Sequence, residues 1–396
     1  MTEYNGAGAR VLPDGFISAF MDYTDNQEAS ELYRRWCCIA LLGAVLEQKV
    51  WAYTSAEIYA NMYVFLVGES GIGKSKSIVA AKKLLRGLPE PFIAPTSMTS
   101  ASLVDELEAC HRHISRRDGP PLDYHSMSMM IDDIGAFMSE YKEDIVGNMT
   151  QFYDAHPYGQ SRRGRDIKIK MEKPQLSILC GATTPGLIRL VPESAWEQGF
   201  CSRMTMVYSD EHILAPDIFG MEVRDAPHDM IHDLRIINEL VGLYSVTTDY
   251  RNAINNWRHL GYPPVPAHPK LRTYNSRRFI HLVKLSMISA VDKSNTLVLT
   301  KDDFNRAMGW LLEVEKYMPK VFAVGGIGGD ARAMDELLHF VSERFKAPGV
   351  PESTLYRRAR ELVPATAVGR MIEVMQQSAM IKITTQVKGI RYFGPA

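Results

Sequence analysis

The run Gly68-Glu-Ser-Gly-Ile-Gly-Lys-Ser75 constrains this chain more than any other feature. It satisfies G-x-x-x-x-G-K-[ST], and it follows the apolar run Met62–Val67 and precedes a segment, Lys74–Leu85, with helical spacing. Strand, glycine loop and helix in that order make a cradle for phosphate. Gly68, Gly71 and Gly73 permit a tight loop whose backbone N–H groups face the anion, and the helix start adds partial positive charge. In such a loop Lys74 neutralises the outer phosphates, Ser75 offers its hydroxyl to magnesium, and Lys76 extends the contact. ATP and Mg2+ are therefore the expected ligands.

A phosphate loop needs acids beside it. Met127–Ile131 is an apolar strand that ends in Asp132 and Asp133. Asp132 is read as the magnesium ligand, through water, and Asp133 as the group that orients the attacking water, although position alone permits the reverse. A third apolar strand, Gln175–Cys180, leads to Thr183 and Thr184; either threonine, with Thr184 the named candidate, suits a sensor of the terminal phosphate. Arg203, just before another apolar run, is the candidate finger that reaches a neighbouring subunit's nucleotide, with Arg189 in reserve.

Two segments are basic. Ser161–Lys173 holds six basic residues against two acids, among them Arg162, Arg163, Arg165, Lys168 and Lys170, and is expected to be a hairpin turning at Gly164. From Pro351 onward seven basic residues face three acids. There the spacing predicts helices over Ala331–Phe345, Pro351–Leu362 and Ala367–Ser378, then a hairpin, which is the layout of a winged helix. Arg357, Arg358 and Lys388 are its candidate DNA contacts.

The remaining organisation reads as follows. Residues 1–28 are expected to be a loose polar entry, Ser30 to cap a helix reaching about Gln48, and Lys49–Tyr59 to form a strand pair. Ser102–Arg116 reads as a helix, residues 211–270 as loop-rich, and Gly325–Gly329 as a linker. The expected domains are an entry region (1–60), an ATPase core (61–325) and the C-terminal module (330–396).

Of the 396 residues 46% are apolar and 23% charged, with a net charge of −1, so nucleic acid must be held by local patches rather than by overall charge. The five cysteines show no metal-ligand or C-x-x-C spacing and suit buried apolar positions in a reducing cytoplasm. The longest apolar run, Trp36–Leu46, falls short of the roughly 20 residues of a membrane span, and the polar run Met1–Arg10 leads us to expect no secretory signal.

Taken together, Tyr63–Ser75, the Met-Met-Ile-Asp-Asp strand, Lys173–Pro185, Gly199-Phe-Cys-Ser-Arg-Met and Arg278–Met287 resemble the helicase-type ATPases of phages and mobile elements. The resemblance spans about residues 31–321. It implies an α/β fold: a P-loop NTPase core, RecA-like or AAA+-like, here followed by a small winged-helix domain. It also implies a homo-oligomeric ring, commonly a hexamer, driven along single-stranded DNA by ATP, with a primase or polymerase as partner and the bacterial cytoplasm as the setting. Arg277 or Arg278 would be a second sensor. Superfamily 3 helicases carry asparagine where this chain has threonine. The alternative function is an ATP-switched loader or DNA-targeting ATPase that does not unwind.

Overall fold

Strands buried on both faces read as unbroken apolar runs, and three of them form the centre of this α/β chain. The computed structural model describes residues 8–395 apart from 116–119, 138–142, 163–166, 192–198, 215–224, 267, 327–328, 345–348, 379 and 388. Helices α1 (Phe16–Tyr23) and α2 (Glu31–Leu46) lead to strands β1 (Val50–Tyr53), β2 (Glu57–Tyr59) and β3 (Tyr63–Val67). Helices α3 (Lys74–Arg86) and α4 (Ser100–Ala109) precede β4 (His111–Ile114) and β5 (Leu122–Ile131). Helices α5 (Ile134–Phe137) and α6 (Glu143–Tyr153) are followed by β6 (Tyr158–Arg162), β7 (Ile167–Met171) and β8 (Pro174–Ala182). Helix α7 (Thr184–Leu190) and strand β9 (Met204–Tyr208) complete the central sheet.

That sheet has the order β4-β5-β8-β3-β9. Strands β5, β8, β3 and β9 run parallel, and only the edge strand β4 is antiparallel. Every residue of β3, β8 and β9 is buried. Val67 stands level with Ala182 and Tyr208, and Ile131 with Cys180, so the loops that follow these strands leave from one side. The chain runs outward from β3 to β5, returns to β8, and then crosses β3 to β9. Such a reversal opens a crevice at the carboxyl ends of the strands, where α/β sheets bind ligands.

The rest of this unit is α8 (His228–Asn238), β10 (Gly242–Leu243), β11 (Ser245–Val246), α9 (Thr248–His259), α10 (Arg272–Asn275), α11 (Arg278–Lys293), β12 (Val298–Leu299) and α12 (Lys301–Gly326) up to Val321. Ser30 caps α2, its side chain accepting from Tyr33 N at 3.3 Å, and β1 pairs antiparallel with β2 as the spacing predicts.

Three expectations for this larger unit need correction. Residues 1–28 contain α1, whose Phe16, Ile17, Phe20 and Tyr23 are buried at helical spacing. Residues 211–270 contain α8 and α9; in α9 the stripe Tyr250, Ile254 and Trp257 is buried and Thr247 caps the start, which the surrounding asparagines and prolines obscure. The helix expected over Ser102–Arg116 stops at Ala109, and His111–Ile114 joins the sheet instead. Pairing with β5 overrides local propensity there.

Residues from Phe322 onward cluster as a second unit. It comprises α13 (Gly329–Glu343), β13 (Val350–Pro351), α14 (Glu352–Leu362), α15 (Ala365–Gln377), β14 (Ile381–Val387) and β15 (Ile390–Pro395). The order is three helices and a hairpin, with β13 added as a short third strand in the antiparallel sheet β13-β15-β14. Leu337, Val341, Leu355, Ala359, Ile372, Met375 and Phe393 form its own core. The expected glycine linker differs: Gly325 and Gly326 belong to α12, Gly329 opens α13, and 327–328 lie outside the described residues.

Candidate functional site

Between β3 and α3 the loop is bound at both ends. Gly68 N donates to Ala182 O at 3.2 Å, tying the loop to the end of β8. The Tyr33 hydroxyl shares its one proton between Val67 O at 2.8 Å and Ser209 O at 3.0 Å, joining the ends of β3 and β9. Gly73 has φ +84 and caps α3 without a side-chain hydrogen bond. A Cβ at Gly73 would run into the backbone of Glu28 and Ala29, so only glycine fits where the N-terminal segment crosses the loop.

Lys74 is 8% exposed, and its ammonium donates to Gly68 O at 2.9 Å and to Glu69 O. Burial lowers its pKa, opposed by the charges of Asp133 and Glu69. Asp133 therefore lies within electrostatic reach of Lys74, although 59 positions separate them in sequence. Ser75 is exposed at the first turn of α3. Lys76, expected at the phosphates, is instead ion-paired with Glu28.

Asp132 and Asp133 are both exposed beyond the end of β5. Asp133 Oδ1 accepts from Gly135 N at 2.9 Å, starting α5. The Asp132 carbonyl lies where a Cβ on Gly181 would fall, so the acid strand and β8 meet closely. Of the two threonines, Thr183 is half-buried and caps α7, its Oγ1 accepting from Gly186 N at 3.2 Å. Thr184, the expected sensor, is 3% exposed inside that helix, and Thr183 directly follows the carbonyl that holds Gly68.

The arginines depart further from expectation. Arg203 is 6% exposed; its Nε donates to Asp154 Oδ2 at 3.1 Å and its Nη1 to Gly199 O. A finger must present a free guanidinium to a neighbour, and here that group is committed within its own chain. Arg277 binds the same carboxylate, at 2.9 and 3.2 Å. Burial alone would raise the Asp154 pKa, but hydrogen bonds and charge from Arg277 and Arg203 hold it below the usual carboxylate range. Arg278 is fully buried and gripped by Glu315 at 2.6 and 2.7 Å, which removes it as a second sensor. The Arg189 side chain lies outside the described residues.

Sequence reasoning missed Asp154, Tyr33 and Glu28. Their partners are 49 and 123 positions away for Asp154, 34 and 176 for Tyr33 and 48 for Glu28, so no local spacing could have shown them.

In the β6–β7 hairpin, Tyr158, Ile169 and Met171 are buried while Lys168 and Lys170 are exposed, so strand alternation presents these lysines outward. Arg163, Arg165, Gly164 and the Arg162 side chain lie outside the described residues. In the C-terminal unit Arg357 is exposed and Arg358 pairs with Glu361 on the same helix. Arg391 binds Glu352 at 3.2 Å, and Lys388 is outside the described residues.

Among the described residues no helix is long and apolar enough to cross a membrane. No protein-family model matches the chain, and no curated protein matches it either, so its geometry must carry any functional reading.

Proposed function

We propose that this chain is a ring-forming, DNA-stimulated P-loop ATPase that acts as a replicative helicase of a phage or mobile element. The observation that carries the reading is the placement of the glycine loop after β3 and of Asp132 and Asp133 after β5 at the same, carboxyl side of the parallel sheet, with Ser75, Asp132 and Asp133 exposed and Asp133 within electrostatic reach of the buried Lys74. The donor set suits the ligand: a buried lysine and the N–H groups of an uncapped helix start favour phosphate, and a hydroxyl with carboxylates favours magnesium. Bound Mg2+ would neutralise charge on the phosphates, held by Ser75 and Asp132. Lys74 would exchange its loop carbonyls for phosphate oxygens, and Asp133 would orient the attacking water. Lys168 and Lys170, on the outer face of the β6–β7 hairpin, supply cations for a DNA strand.

The deciding experiment is steady-state ATP hydrolysis with and without single-stranded DNA, on wild type and Lys74→Ala. Several-fold stimulation of wild type and an inactive variant support the motor. Hydrolysis that needs Lys74 but ignores DNA would overturn the helicase reading. A second reading, an ATP-switched loader with slow turnover, is favoured by the pairing of both Arg203 and Arg277 with Asp154, because fast hydrolysis in trans needs a presented arginine. Slow turnover with ATP-dependent DNA binding and no strand separation would select it.

A further inference from the structure

Away from the phosphate loop, the edge of the central sheet carries a group of side chains that ATP chemistry does not use. In the β4–β5 pair, His111 stands opposite His125 and His113 opposite Asp123. Successive residues of a strand face opposite ways, and cross-strand partners share a face. His111, His113, Asp123 and His125 therefore form a two-by-two array on one face. The intervening residues fix which face this is: Arg112 Nε and the Tyr124 hydroxyl both turn to Glu47, at 3.1 and 2.6 Å. Within the array, His113 Nδ1 lies 2.8 Å and His111 Nε2 3.4 Å from the same oxygen, Asp123 Oδ1. The His111 and His125 rings are 5.1 Å apart between centroids.

We propose that His111, His113, Asp123 and His125 bind a divalent late transition metal, of the class of Zn2+, Co2+ and Ni2+, that staples β4 to β5. Three imidazoles and a carboxylate are the donors these ions prefer, whereas Mg2+ selects oxygen ligands and does not compete. As the side chains stand, no group of three or more His, Cys, Asp or Glu among the described residues is arranged to hold a metal ion. The proposed site forms by rotation of the His111, His113 and Asp123 side chains, each of which is more than half exposed. The His113–Asp123 hydrogen bond is exchanged for two metal bonds. His125 keeps Nδ1 on Glu108 O, at 3.1 Å, and coordinates through Nε2, the outer contact fixing its orientation. Four protein ligands leave no open position, so the site is structural. It secures an edge strand at one end of β5, whose other end carries Asp132 and Asp133.

The test uses the full-length, untagged chain, stripped with chelator and titrated with Co2+ in excess Mg2+, followed by Zn2+. The expected result is one Co2+ per chain with the intense visible absorption of tetrahedral coordination, displaced by one equivalent of Zn2+. His111→Ala with His113→Ala should weaken Co2+ binding by about 100-fold and abolish the Zn2+-induced rise in unfolding temperature. A weak octahedral spectrum, or substoichiometric binding, in wild type overturns the proposal without any variant. Undiminished binding in the double variant, or in His125→Gln should the double variant fail to fold by circular dichroism, also overturns it.

Discussion

At the scale of single residues, the glycine loop between β3 and α3 is held by the close fit at Gly73 and by Lys74. Among the described residues Lys74 bonds to the loop carbonyls of Gly68 and Glu69, so Lys74→Ala should leave the fold intact. It should lower ATP hydrolysis by about 100-fold or more, as loss of a charge aimed at the transferring group does; parallel turnover and circular dichroism measurements check this. Asp132→Asn and Asp133→Asn separate the two acidic roles. The first should raise the Mg2+ concentration needed for half-maximal rate, and the second should cut kcat with that requirement unchanged. Asparagine at 133 keeps the acceptor for Gly135 N, so its effect is not a loss of the α5 start. The reverse pattern would exchange the assignments.

At the scale of elements, α11 packs charge into the core. Lys284 donates to Asn61 O at 2.8 Å and to Asn61 Oδ1 at 2.7 Å, and desolvation pushes its pKa down to about 7. His281 is pushed down to about 4 by burial, and Lys49, outside the helix, to about 8. Each group loses its proton in the folded state before it does in the unfolded chain. Across about 4–6.5 for the histidine and about 7–10.5 for the lysines, the unfolded state binds more protons, so stability rises with pH. Denaturant unfolding from pH 7 to 9 should show this slope, and Lys284→Met should reduce but not abolish it, because Lys49 remains. An unchanged slope would mean that Lys284 keeps its proton on folding. Asp154, just past α6, joins Arg203 to Arg277. Asp154→Ala leaves a buried arginine unpaired and should cost about 3 kcal/mol in urea unfolding.

At the scale of the whole molecule, residues up to Val321 and from Phe322 each make a compact unit with its own interior. Leu355 is fully buried in the smaller unit, and Leu355→Ala should cost about 3 kcal/mol. Calorimetry should show that transition shifted and the other, from the larger unit, in place; a single shared transition would mean the units unfold together. Ring assembly and DNA stimulation also belong to this scale, and both follow from the proposed motor rather than from either unit alone.

Local chemistry determined much of this chain on its own. The glycine loop between an apolar strand and a helix, the acids closing β5, the buried strand β8 and the order of elements after residue 330 were all legible, because each depends on periodicity or turn residues within a short window. Those signals are short-range, and so is their authority. Only the tertiary structure decided that His111–Ile114 is a strand, since β5 supplies the hydrogen bonds that outweigh helix propensity. The same pairing assembled three histidines and an aspartate that the sequence leaves 10 to 14 positions apart across the strands. Asp154 is the clearest case. Nothing in its neighbourhood marks it, yet burial requires each arginine to find a counter-charge, and folding brings Arg203 and Arg277 to the same carboxylate.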